Sequence, residues 1–159
     1  MKFFVSGDIK HQRKLVLAIF IVALFFILFL LSDMWVKSKL FGLTIHDVSQ
    51  TLLGDEENFI EPYAFSTLLE MIHTDLFFVM MLFILSGALY FRIKKQSKRA
   101  RIIMSIILLM VFVSMITPFV GLHYYLGSLL WYYSFIIWHL LFIVIYIDII
   151  VMLSKASDD

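Results

Sequence analysis

Four long apolar runs constrain this chain more than any motif in it. Leu15–Leu31 carries no charged residue over seventeen positions, Leu76–Phe91 and Ile102–Val120 are equally free of charge, and Leu129–Leu153 contains only His139 and Asp148 among histidine and charged residues. A helix needs about 20 apolar residues to cross a hydrocarbon core, because every backbone polar group must be satisfied within the helix. Of the 159 residues, 62% are hydrophobic, more than a soluble domain of this length can hide in one core. The sequence therefore predicts an all-α fold, a four-helix transmembrane bundle forming one integral membrane domain over 1–159. Its spans fall at about 15–34, 66–91, 102–121 and 129–153. The first run is read as a membrane helix, since it exceeds a leader's apolar core and no small-x-small cleavage site follows.

Charge gives these spans a direction. Lys2, Lys10, Arg13 and Lys14 precede the first, Arg92, Lys94, Lys95, Lys98, Arg99 and Arg101 join the second to the third, and Lys155 follows the fourth. Only Lys37 and Lys39 of the thirteen basic residues fall elsewhere. The positive-inside rule then predicts both termini in the cytoplasm, in a multi-pass cell membrane of the bacterial inner-membrane kind. Trp35, Tyr63, Tyr124, Tyr125, Trp131, Tyr132 and Tyr133 gather at the opposite end, as an aromatic belt at a headgroup boundary does. The extracytoplasmic loop, 35–65, contains "TIHDVSQTLLG", in which Thr44 and Asp47 are spaced as a capping box. Ile45, Val48 and Leu52 share a face and Gly54 ends the segment. A short amphipathic helix lying on the outer membrane surface is expected. The "GDEENFIEP" that follows reads as an acidic turn.

Chemistry is sparse. The absence of cysteine excludes thiol redox, iron–sulfur and cysteine–zinc sites. No nucleophile–base–orienter set points to a freestanding hydrolase, and nothing points to nucleic acid. What stands out is "LLEMIHTDLFF", residues 68–78, where Glu70, His73 and Asp75 interrupt an apolar helix. At 1.5 Å rise per residue, His73 lies roughly 28 Å from Arg92, His139 about 24 Å from Lys155, and His123 about 33 Å from Arg101. Three histidines on three spans therefore fall in the outer half. Glu70 and His73, three apart, share a face, while Asp75 points away from His73. Asp148, deep in the other leaflet, must meet another helix, a partner or water.

Two imidazoles at one depth are what a haem iron takes as axial ligands, and His73 with His139 is the candidate pair. Phe77, Met80, Phe135, Trp138 and Phe142 would be its apolar walls. With "IHTDLFF" and "IWHLLF" the chain resembles the four-helix membrane b-type cytochrome subunits that anchor hydrogenases and formate dehydrogenases. That resemblance implies a redox-complex subunit binding one haem b at the outer side and passing electrons between quinol and an extracytoplasmic partner. It departs from those subunits in lacking two histidines about a dozen residues apart on one helix. A copper or zinc site from Glu70, His73, His139 and His123 is another expectation, and a quinone bound by His73 beside Glu70 a third. Against all of these stands a cofactor-free scaffold or assembly subunit, with its polar residues as interhelical glue and its acidic outer loop docking other subunits of a membrane complex.

Overall fold

A computed structural model describes residues 13–95 and 97–157; Lys2 and Lys10 of the basic N-terminal cluster lie outside them. Five helices make up the described chain: α1 Arg13–Phe41, α2 Ile45–Leu53, α3 Phe65–Ile93, α4 Lys98–Gly121 and α5 Tyr125–Ser157. Four of them are long and apolar enough to cross a membrane. The all-helical, four-span architecture is as the apolar runs predict.

The helices alternate in direction. Along α1 and α5, Asp33 meets His139 and Phe26 stacks on Tyr146 at 5.5 Å, an opposite order that makes the pair antiparallel. Ser86 bonds Tyr146 and Tyr90 approaches Asp148, so α3 and α5 run parallel. α5 is the hub, packed along α4 and α1, while α3 packs chiefly on α4. The start of α1 and the end of α5 consequently share one end of the bundle, the Lys94 end, with α2 at the other.

Each long helix keeps a buried stripe at alternating three- and four-residue steps, the spacing that holds one face against its neighbours. On α3 the stripe is Leu68, Ile72, Val79, Leu82, Ser86 and Tyr90, and on α5 it includes Trp131, Trp138, Phe142, Ile145, Ile149 and Leu153. Outward positions such as Phe25, Phe77, Ile84, Leu109 and Val144 are exposed hydrophobics, the surface a lipid solvent requires. The α4–α5 hairpin closes tightly. A side chain at Gly127 would run into the backbone of Val120 and Gly121, so the two helices meet here with almost nothing between them. Pro118 supplies no N–H to the helical ladder of α4, and Thr117 donates back to the Val113 carbonyl at 2.7 Å.

Three expectations are corrected. The first helix does not stop at the predicted span end near residue 34. Nothing between Ser32 and Phe41 breaks a helix, so α1 runs to Gly42, whose φ of 91° turns the chain. The α2 helix has the predicted capping box and stops at Gly54, but its apolar face does not rest on lipid. Val48 and Leu52 pack with Phe41 and Trp131 into a small core that caps the bundle; protein, not lipid, covers its apolar face. Trp131 is accordingly buried and leaves the expected aromatic belt, where Trp35, Tyr124, Tyr125 and Tyr133 are exposed.

Candidate functional site

The chemistry gathers where α1, α3, α4 and α5 converge beneath the α2 cap. Extending α1 to Phe41 brings Asp33 and Lys37 into the bundle. They continue the buried series Ala23, Phe26 and Leu30 at the same three- and four-residue spacing, so helical geometry turns them inward. Asp75 falls on the buried stripe of α3, three residues after Ile72 and four before Val79. His139 follows Trp138 on α5 and is wholly buried. Four ionisable side chains from three helices thus share one interior region.

They are paired. The Lys37 ammonium donates to Asp75 at 2.6 Å, with the lysine side chain 7% and the aspartate 24% exposed. His139 Nε2 lies 3.0 Å from Asp33 Oδ2, and its Nδ1 lies 2.8 Å from the Phe135 carbonyl. A carbonyl only accepts, so Nδ1 carries a hydrogen. The Nε2–Asp33 contact then needs a second hydrogen, held on either the imidazole or the carboxyl group. With that proton in place, Lys37, Asp75, Asp33 and His139 sum to zero charge, which is what makes their burial tolerable. Phe135 and Trp138 flank the imidazole, with ring centroids 4.1 Å and 3.6 Å away.

Between these pairs lies a cavity of about 180 Å³, lined by Asp33, Lys37, Asp75, Phe78, Ser114 and Trp138 among others. Trp138 is 2% exposed, and its indole N–H has no hydrogen-bond partner. A buried unpaired donor costs about 1–3 kcal/mol. Against the same wall, where Lys37, Trp131 and Phe135 are shared, sits a second cavity of about 370 Å³. It is bordered by Trp35, Leu43 and Tyr132, and exposure of Trp35 and Leu43 at 65% and 74% marks its mouth on the bundle surface.

The residues singled out from sequence fall differently. Glu70 and His73 are both exposed on the outer face of α3, and His123 is exposed in the α4–α5 turn. His73 follows the inward Ile72 by one residue and is turned about 100° off the buried face, at 3.6 residues per turn. Only His139 lies inside. Asp75, set aside in the sequence reading, is the inward group of "LLEMIHTDLFF". Two of the expected haem walls, Phe77 and Met80, also face outward. A haem held by two imidazoles needs a free ring nitrogen from each. Both nitrogens of His139 are engaged by this chain's own residues and His73 faces out of the bundle, so the residues present do not fit that group. The described residues likewise bring no three of His, Asp and Glu together as metal ligands; Glu70, His73, His123 and His139 do not converge.

At the Lys94 end, Asp148 meets another helix, as its depth demanded: Lys94 approaches it at 2.7 Å and the Tyr90 hydroxyl donates to it at 3.3 Å. At the α2 end, the acidic turn is organised by Asp55. Its carboxylate accepts from the backbone N–H groups of Glu57 and Asn58 and from the side chains of Asn58 and Gln50. These bonds, that of the Asn58 side chain foremost, hold the Asp55 carboxyl below its ordinary range. Phe59, at φ 56°, is presented 94% exposed.

No curated protein and no solved structure is significantly similar to the chain. One family model matches, over residues 42–157, and its description is a transmembrane helical domain. Covering α2 to α5 and most of the length, the match agrees with the bundle described above: the chain belongs to the Aq_1264_TM family of transmembrane helical domains.

Proposed function

We propose that this small multi-pass membrane protein works as an intramembrane acid–base site, with Asp33 and His139 as the proton-exchanging pair and Lys37–Asp75 as its fixed electrostatic neighbour. One observation carries the reading: one cavity is bordered by Asp33, Lys37 and Asp75, while the Asp33 carboxyl lies 3.0 Å from Nε2 of a fully buried imidazole. Ionisable groups within membrane helices are costly, and those lining a cavity mark polar-ligand or proton pathways. Interhelical glue alone needs no cavity beside it. With the orientation inferred from the basic loops, the site lies in the extracytoplasmic half of the bilayer.

The chemistry is proton transfer. Phe135 fixes the His139 tautomer through Nδ1, so Nε2 is the atom that gains or loses the proton, and Asp33 is its immediate partner. Infrared difference spectra of the purified protein in lipid nanodiscs, recorded as pH is stepped, test the reading. A coupled imidazole–carboxyl signal is expected, abolished by either Asp33→Asn or His139→Gln and retained in His73→Gln. A spectrum in which Asp33→Asn changes nothing defeats it.

A second reading has its own support. The Asp55-organised turn displays Phe59 among exposed Glu56, Glu57 and Glu61, an aromatic anchor within acidic surroundings. It suits docking of a basic, apolar-centred surface of another subunit of a membrane complex. The two roles are compatible, because turn and cavity lie at different places on the bundle. Crosslinking from a photoreactive residue at position 59 in native membranes tests it: one discrete adduct is expected, and none, or a smear of unrelated adducts, removes it.

A further inference from the structure

We infer that the two adjoining cavities form one binding site for a lipid-soluble compound with a planar carbonyl headgroup on a single aliphatic tail, the chemistry of a lipid quinone. The inference builds on the interior site proposed above and names what enters it. Three observations carry it. The inner cavity has a donor in its wall: the Lys37 ammonium has three hydrogens, of which Asp75 takes one, and the indole of Trp138, whose N–H has no partner, belongs to the same wall. The complement to such donors is a group bringing acceptors, and carbonyl oxygens do so without adding charge to a neutral quartet. Phe78, Trp138 and Phe135 supply aromatic faces around about 180 Å³, a space suited to a flat ring. The outer cavity, bordered by Met34, Phe41, Val48 and Ile136, is mainly apolar and opens between exposed Trp35 and Leu43, where an aliphatic tail passes to lipid. Lys37 lines both cavities; a ligand that spans them would set its headgroup at Lys37 and its tail in the groove. Binding alone is inferred; no electron transfer is assigned.

The molecule carries its own reporter. All three tryptophans of the sequence line one or both cavities, Trp131 and Trp138 buried and Trp35 exposed at the mouth, so saturable quenching reports occupancy of the site, whereas quenching of Trp35 from the bilayer does not saturate. The full chain in nanodiscs is titrated with decyl-benzoquinone, a quencher with the inferred headgroup and tail, and separately with bromodecane, a quencher with the tail alone. Saturable quenching by the quinone is expected, with its midpoint raised about tenfold in Trp138→Phe, which removes the unpaired donor, and in Ser38→Leu, which fills the groove. Bromodecane should quench only in proportion to its concentration in the bilayer. Quinone quenching that never saturates, one midpoint for all three proteins, or saturation by bromodecane at the same concentration each overturns the inference. A brominated monoacylglycerol that displaces the quinone at equal concentration overturns the planar headgroup. The infrared signal of Asp33 and His139 separates the two claims: if it is present while quenching stays unsaturated, only the ligand falls; if it is absent while quenching saturates, only the proton-exchange reading falls.

Discussion

Lys37 and Asp75 join α1 to α3 through a 2.6 Å ion pair in a bundle whose long helices turn many large hydrophobic side chains outward. Removing one member of such a pair leaves a buried charge unmatched, at a cost of about 3–5 kcal/mol. Lys37→Met should therefore lower stability in detergent unfolding by about 3 kcal/mol. Lys37→Met combined with Asp75→Leu should recover most of it, since replacing both partners with apolar groups is often neutral. A double variant as unstable as the single one would place the loss elsewhere than in the unpaired carboxylate.

Asp148 and Lys94 make the contrast. Their 2.7 Å pair lies at the bundle end with side chains 34% and 27% exposed, where solvent screens the charges. Asp148→Asn should cost no more than about 1 kcal/mol, measured by the same unfolding. A loss matching that of Lys37→Met would show that this end is as dry as the other.

Gly127 tests the packing of α4 on α5. Its missing side chain is what lets the two helices touch beside Gly121. Gly127→Ala should force them apart at a cost of about 1–3 kcal/mol, the usual range for overpacking, despite alanine's higher helix propensity. An unchanged or raised melting temperature would mean that the hairpin yields freely.

The cap of α2 should respond to acid. Hydrogen bonds from Thr44, its backbone N–H first and its hydroxyl next, hold the Asp47 carboxyl below its ordinary range. A carboxyl depressed in the folded state contributes its full stability above the unfolded-state value of about 3.9. That stability is lost as pH falls through the lower folded value. Protection of the Thr44 and Asp47 amides, taken relative to their intrinsic exchange, should therefore fall only in strong acid, and Asp47→Asn should remove this dependence. Protection that already falls near neutrality would point to a different group.

Much of this architecture is legible in the amino acids, and the site is legible only in part. The four spans follow from uncharged runs, because a lipid solvent permits little else; the capping box at Thr44 and the stop at Gly54 follow from local hydrogen bonding. Lys37 falls outside the predicted first span and Asp33 at its very end, because charge signals water; two charges on an inward stripe instead neutralise charges on other helices. The signal that finds them is the series 23, 26, 30, 33, 37, 41, and the series 68, 72, 75, 79, 82 finds Asp75 in the same way. His73, one step off that stripe, is conspicuous by residue type but not by position. Depth along a helix gives level; azimuth decides which side chains meet, and it was azimuth that separated His73 from His139. The contact between His139 and Asp33 is out of reach of the sequence, since it joins two residues 106 positions apart.

The most direct test of the account is the protonation of His139 itself, read by nitrogen-15 solid-state NMR of the histidine-labelled protein in lipid. The account predicts a single His139 species with Nδ1 protonated and Nε2 in a strong hydrogen bond, whose Nε2 signal moves in Asp33→Asn and stays fixed in His73→Ala. A His139 that interconverts freely between tautomers, or whose Nε2 signal ignores Asp33→Asn, would contradict it.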